Sequence, residues 1–120
     1  MGTIYSLSDE TADLDLIEGS GRSINEIAEH MDHVDVDASE VLIFTHWEYY
    51  GYGSDEVSPV RFDAQTVVTD MTTLVTELRR LDQNRRFGGL VVSEWIEWFL
   101  RVRDHAQAHP THKFRSQFFV

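Results

Sequence analysis

The clearest structural signal in the chain is DAQTVVTDMTTLVTELRRL, which spans residues 63–81. Apolar side chains recur in it at steps of one, three and four, a spacing that places them on one face of an α-helix. They are Val67, Met71, Leu74, Val75, Leu78 and Leu81. Five threonines in the same stretch are weak helix formers, so burial of the apolar face has to stabilise the helix. The pattern predicts a helix over residues 64–81.

A second long helix is predicted towards the end of the chain. Ser93 is placed to cap a helix over residues 93–108, and Pro110 prevents its continuation. Its apolar face is broad, and it consists of Trp95, Ile96, Phe99, Leu100 and Val102. Two amphipathic helices with one apolar face each require a partner surface to bury those faces.

Two shorter helices are predicted in the N-terminal half. A Ser-x-x-Glu capping box begins at Ser23 and predicts a helix over residues 23–32. A second helix is predicted over about residues 9–18. Ser8 is a suitable cap, Asp9 and Glu10 follow it, and Leu14 and Ile17 are apolar and three residues apart.

Strands are predicted where β-branched and aromatic residues cluster. The main ones lie near residues 3–7, 41–50 and 56–62, and Pro59 favours an edge position for the last of these. Residues 114–120 are apolar enough to form a strand docked on the body of the domain. Together these elements predict an α+β fold, in which a small antiparallel sheet is covered by the helices near 23–32, 64–81 and 93–108.

The composition predicts one globular domain over residues 1–120, with 42% hydrophobic residues and a net charge of −11. The charge is unevenly placed: residues 1–60 hold 14 acidic and one basic side chain, and residues 61–120 hold 7 acidic and 9 basic ones. Adaptation to high salt and recognition of a basic partner both account for such acidity. There is no cysteine, which excludes disulfides, zinc–thiolate sites and cysteine nucleophiles.

The location predicted from the sequence is the cytoplasm or the inside of a virion. The first residues lack the basic and apolar regions of a signal peptide. The longest apolar runs are far shorter than the roughly 20 residues that span a bilayer, so no membrane partner is expected.

The segment SINEIAEHM (23–31) followed by VDASEVLIFTHWEYYG (36–51) resembles the second and third helices of winged-helix DNA-binding proteins. This resemblance implies a helix rather than a strand near 41–50, which the acid-rich cap signal at 37–40 also allows. The segment departs from that family at the recognition helix, which carries Glu40 and Glu48 and no cation to contact phosphates. Nucleic acid is therefore not the expected partner.

Two groups of residues are candidates for binding a partner. The first is an aromatic and acidic run of the kind that anchors protein interfaces, and it consists of Trp47, Glu48, Tyr49, Tyr50 and Tyr52. The second is a group of arginines suited to a phosphate or to the acidic half of another copy of the chain, and it consists of Arg79, Arg80, Arg85 and Arg86.

The third candidate group is histidine-rich. His105 and His109 are four residues apart on the predicted last helix, so both imidazoles can reach one metal ion, and His112 can complete a three-nitrogen set. No glutamate adjoins the first histidine as it does in zinc-peptidase motifs. A solvated last turn, whose cationic side chains suit the helix dipole, is the ordinary interpretation. The sequence therefore predicts no metal or cofactor.

The function that we expect from the sequence is that of a non-enzymatic, acidic protein-interaction module. Its expected partner is a protein with a basic surface, either a different protein or a second copy of this chain. Inhibitors, immunity proteins and virion assembly components are the classes with such properties. The alternatives are a winged-helix-like DNA-associated regulator and a metal-dependent enzyme that uses the C-terminal histidines.

Overall fold

The architecture is that of a four-stranded antiparallel sheet with two long helices, in a computed structural model that describes residues 4–20, 23–24, 26–27, 30–31 and 60–119. In chain order the elements are β1 (Ile4–Asp9), β2 (Leu14–Ser20), β3 (Val60–Asp63), α1 (Ala64–Leu78), β4 (Arg86–Phe87), β5 (Leu90–Val91), α2 (Val92–Ala108) and β6 (Lys113–Phe119). The predicted α+β class is confirmed. No helix among the described residues is long and apolar enough to span a bilayer.

The strand order of the main sheet is β2-β1-β6-β3, which places the last strand between two earlier ones. Residues directly opposite each other in an antiparallel pair share a face of the sheet. Asp9, Phe114 and Phe62 form one such row across β1, β6 and β3. Leu7 lies two residues before Asp9 and opposite Ile17, so both belong to the same face. This face is buried under α1 and α2, which also pack against each other.

The predicted strands agree with the structure wherever residues are described. The strand predicted near 3–7 is β1, and the one predicted over 114–120 is β6. The strand predicted near 56–62 corresponds to β3, which occupies the end of the described sheet as Pro59 suggested. The strand predicted near 41–50 lies outside the described residues.

The predicted long helices are confirmed with small changes at their ends. Asp63 caps α1 because its carboxylate accepts a hydrogen bond from the amide of Thr66 at 2.8 Å. The helix ends at Leu78 rather than at residue 81. Three of the five threonine hydroxyls, those of Thr72, Thr73 and Thr76, donate to carbonyl oxygens four residues earlier, so they are satisfied without disturbing the apolar face. The second helix, α2, begins at Val92, one residue before the prediction, so the predicted cap Ser93 lies inside the helix and Val91 is the cap residue.

The helix predicted over residues 9–18 is wrong, since a turn and β2 occupy this range. Leu7 pairs with Ile17 and Ser8 with Asp15, which leaves Leu16 as the extra residue of a β-bulge. In a regular strand, residues three apart point to opposite faces. The bulge brings Leu14 and Ile17 to one face, so a spacing of three in this strand imitates a helix. The indole of Trp98 donates to the carbonyl oxygen of Leu16 at 2.8 Å and fixes the bulge against α2.

The described residues between 23 and 31 are helical, in agreement with the helix predicted over 23–32. Ile24, Ile27 and Met31 are buried in the same core as α1 and α2. The carboxylate of Glu26 accepts a hydrogen bond from the amide of Gly88 at 2.9 Å, which joins this segment to the β4–β5 hairpin.

Candidate functional site

The aromatic and acidic run predicted to bind a partner lies outside the described residues. It consists of Trp47, Glu48, Tyr49, Tyr50 and Tyr52. Its role therefore stays a prediction, as does the resemblance of residues 36–51 to a recognition helix.

The four arginines predicted to bind phosphate or a second copy are all exposed. Their described contacts are local: Arg80 forms an ion pair with Glu77 at 3.6 Å, Arg85 lies over the ring of Phe87, and Arg86 donates to the carbonyl oxygen of Gly89. These contacts do not gather the guanidinium groups around one anion. The binding role of Arg79, Arg80, Arg85 and Arg86 stays a prediction.

The uneven charge along the sequence is partly cancelled by the fold. β1 and β2 come from the acidic half of the chain, and they share a sheet with β3 and β6 from the other half. Glu10 on the turn after β1 therefore contacts Arg61 at 3.1 Å and Arg115 at 3.8 Å. The two halves of the sequence are not two separate charged ends in the described structure.

The structure assembles a polar cluster around Asp9, where the apolar core would otherwise continue. Asp9 is 0% exposed, although it is ionisable and lies at the end of β1. One carboxylate oxygen, Oδ2, lies 2.7 Å from Nε2 of His105 and 2.6 Å from Nδ1 of His112. The other, Oδ1, accepts a hydrogen bond from the amide of Ala12 at 3.0 Å. A buried charge is tolerated where its oxygens are satisfied in this way.

The three C-terminal histidines meet at this cluster, as their spacing allowed. The ring centroids of His105 and His109 are 4.3 Å apart, and those of His109 and His112 are 4.6 Å apart. One nitrogen from each ring lies within 4.8 Å of one nitrogen from each of the others. α2 supplies the ring of His105, the residue that ends the helix supplies the ring of His109, and the short loop before β6 supplies the ring of His112.

Hydrogen bonding fixes the orientation of each imidazole ring. An ionised carboxylate only accepts hydrogen bonds, so Asp9 requires a proton on Nε2 of His105 and on Nδ1 of His112. A backbone carbonyl likewise only accepts, and Nδ1 of His109 lies 2.8 Å from the carbonyl oxygen of His105. In the neutral rings, the lone pairs therefore lie on Nδ1 of His105 and on Nε2 of His109 and His112.

Two further contacts hold the cluster in place. The ring of Phe114 meets His105 edge-on, with the centroids 6.1 Å apart. The hydroxyl of Thr11, in the turn after β1, accepts a hydrogen bond from the amide of Lys113 at 2.9 Å. These contacts connect the turn after β1, the end of α2 and the start of β6 around Asp9.

The ionisation of Asp9 links this cluster to acid stability. Burial alone raises the pKa of Asp9, but the hydrogen bonds from His112, His105 and Ala12 outweigh it and lower the pKa from 3.8 to about 2. A lowered pKa stabilises the folded state above pH 3.8, and this stabilisation is lost as the pH falls towards 2. It amounts to about 2 kcal/mol for a shift of this size.

We therefore expect the stability advantage of the wild-type chain over an Asp9→Asn variant to fall by about 2 kcal/mol between pH 5 and pH 2. Urea unfolding of both proteins across this range measures the difference and removes the contribution of the other carboxylates. A constant difference would show that Asp9 titrates normally in the folded protein.

The sequence alone identified the three histidines but missed the carboxylate that organises them. The sequence pattern places Asp9 in the first turn of a predicted helix, and no local pattern connects it with His105 or His112. The strand pairing of β1 with β6 is what brings them together. Comparison of the chain with protein-family models, with curated proteins and with solved structures gives no match.

Proposed function

We propose that this domain binds one divalent transition-metal ion through His105, His109 and His112. The observation that carries the proposal is the convergence of three imidazole nitrogens within 4.8 Å of one another. A tetrahedral zinc ion with Zn–N bonds of 2.0–2.1 Å needs its ligand nitrogens roughly 3.3 Å apart. The ligand nitrogens therefore have to move closer together when the ion binds.

The surroundings of the rings support the same proposal. Histidine ligands of metals characteristically donate their second ring nitrogen to a carboxylate or a backbone carbonyl. All three rings make such a contact: His105 and His112 to Asp9, and His109 to the carbonyl of His105. A solvated helix end, the ordinary interpretation of the sequence, does not require a buried carboxylate behind the rings.

The donor set favours particular metals. Imidazole nitrogen suits zinc, copper, nickel and cobalt, whereas magnesium and calcium prefer oxygen ligands. Zinc is commonly bound by three histidines, and it needs no redox-active side chain beside it; the described residues place none at this cluster. The sequence-based expectation of no metal is replaced by this proposal, while the non-enzymatic interaction module stays a prediction.

Calorimetric titration of the apo-protein with zinc is expected to give one ion per chain. A ligand is removed by each of the substitutions His105→Ala, His109→Ala and His112→Ala. Loss of a residue that only hydrogen-bonds a ligand weakens metal binding by up to about 100-fold, so loss of a ligand itself is expected to weaken zinc binding by more than this. Magnesium at the same concentration is expected to give no comparable heat.

A matched control is Gln107→Ala, which changes an exposed polar side chain on the same turn of α2. It is expected to bind zinc like the wild-type protein. Zinc binding that survives all three histidine substitutions would assign it to the acidic surface and would overturn the proposal. Circular dichroism of each variant separates lost ligands from lost folding.

A further inference from the structure

We infer that the metal ion keeps one coordination position for an exogenous ligand, namely water or a small monodentate anion. This inference rests on the proposed metal binding. Three neutral imidazoles leave a zinc ion with its full double positive charge and with one tetrahedral position to fill. The ligand in that position depends on which other groups of the chain can reach it.

The nearest carboxylate, Asp9, is poorly placed to be a fourth ligand. Its Oδ2 atom accepts two hydrogen bonds from imidazole rings, and its Oδ1 atom accepts one from the amide of Ala12. It lies next to the protonated nitrogens of His105 and His112. Moving it onto the ion would break the contacts that orient two of the ligands.

The acidic side chains next to the cluster in sequence, Glu10 and Asp104, are paired with arginines. Glu10 is paired with Arg61 and Arg115 on the other face of the sheet from Asp9. Asp104 is exposed and lies 3.8 Å from Arg103. Within residues 4–20 and 60–119, the cluster with metal-binding spacing contains the three histidines alone.

Solvent has access to the cluster, which a closed structural site would lack. The side chains of His105 and His112 are 19% and 24% exposed, while Asp9 behind them is fully buried. Water can therefore reach the histidine rings from outside the core. Three protein ligands and one solvent position are the arrangement of catalytic zinc sites, whereas structural sites use four protein ligands.

Cobalt(II) provides a direct test, because it takes the place of zinc and its visible absorption reports the ligands around it. The full-length apo-protein is titrated with cobalt chloride and then with sodium azide. We expect a tetrahedral cobalt spectrum at one ion per chain, and a saturable change of that spectrum as azide replaces water. His109→Ala should abolish both signals, which assigns the spectrum to this site.

The two hypotheses fail in different ways. If no tetrahedral cobalt spectrum develops, the metal site itself is refuted, and the inference falls with it. If the spectrum develops and azide leaves it unchanged, the metal site stands but the chain supplies a fourth ligand, which overturns the inference. Folding of the His109→Ala variant is checked by circular dichroism before the comparison.

Discussion

Replacing Asp9 with alanine is expected to lower the free energy of unfolding by about 3–5 kcal/mol, because each donor left without its buried acceptor costs roughly 1–3 kcal/mol. The substitution leaves three donors without their acceptor: the ring nitrogens of His105 and His112 and the amide of Ala12. Each is at least partly buried, so water replaces the lost carboxylate only incompletely. A cavity at the base of the cluster adds to the loss.

Urea unfolding at pH 7 measures this effect. Asp15→Ala is the matched control, since Asp15 is an exposed aspartate on the neighbouring strand β2. Its replacement is expected to change stability by no more than about 0.5 kcal/mol. Asp9→Asn keeps the shape and one acceptor oxygen, so it should fall between the two. Equal stability of the Asp9→Ala and Asp15→Ala variants would mean that the buried contacts of Asp9 contribute nothing.

Replacing Phe114 with alanine is expected to cost about 3–5 kcal/mol, in the range measured for large aromatic residues in protein cores. Phe114 is 0% exposed and lies on β6, the interior strand that joins β1 to β3. Its ring lies between Asp9 and Phe62 in one row of the sheet and contacts the edge of His105. The substitution therefore opens a cavity where the sheet, α2 and the histidine cluster meet.

The measurement is again urea unfolding, combined with zinc titration of the folded fraction. Leu14→Ala is the control, because Leu14 is an apolar strand residue that is 46% exposed. It is expected to cost well under half as much as Phe114→Ala, and Phe114→Leu about 1 kcal/mol. A Phe114→Ala variant as stable as Leu14→Ala would contradict the position of β6 inside the sheet.

The long helices were predictable because the spacing of their apolar residues fits an α-helix and no other regular structure. Val67, Met71 and Leu74 repeat at helical intervals over a length that no strand matches. The hairpin of β1 and β2 was not predictable in the same way, because the bulge at Leu16 shifts the strand period by one residue. A short acidic segment with apolar residues three apart fits both structures, and only its pairing partner decides between them.

The candidate site was half predictable for a related reason. His105 lies in the last turn of α2 and His109 directly follows the helix as its C-cap, so a spacing of four residues keeps them close. His105 and Asp9 are 96 residues apart, and their contact depends on the pairing of β1 with β6. Local sequence patterns do not show contacts between residues so far apart in the sequence. The carboxylate that orients the histidines could therefore be found only in the folded structure.

The position of β6 between β1 and β3 also has a consequence for synthesis on the ribosome. The hairpin of β1 and β2 emerges first, and at about 5–20 residues per second several seconds pass before β6 is made. During this interval the side of β1 that later pairs with β6 is an open edge, the kind that recruits strands from other chains. Asp13, Asp15 and Glu18 are exposed on the same hairpin, and their mutual repulsion keeps two such nascent hairpins apart. The exposed acids of this hairpin therefore oppose the pairing of two incomplete chains.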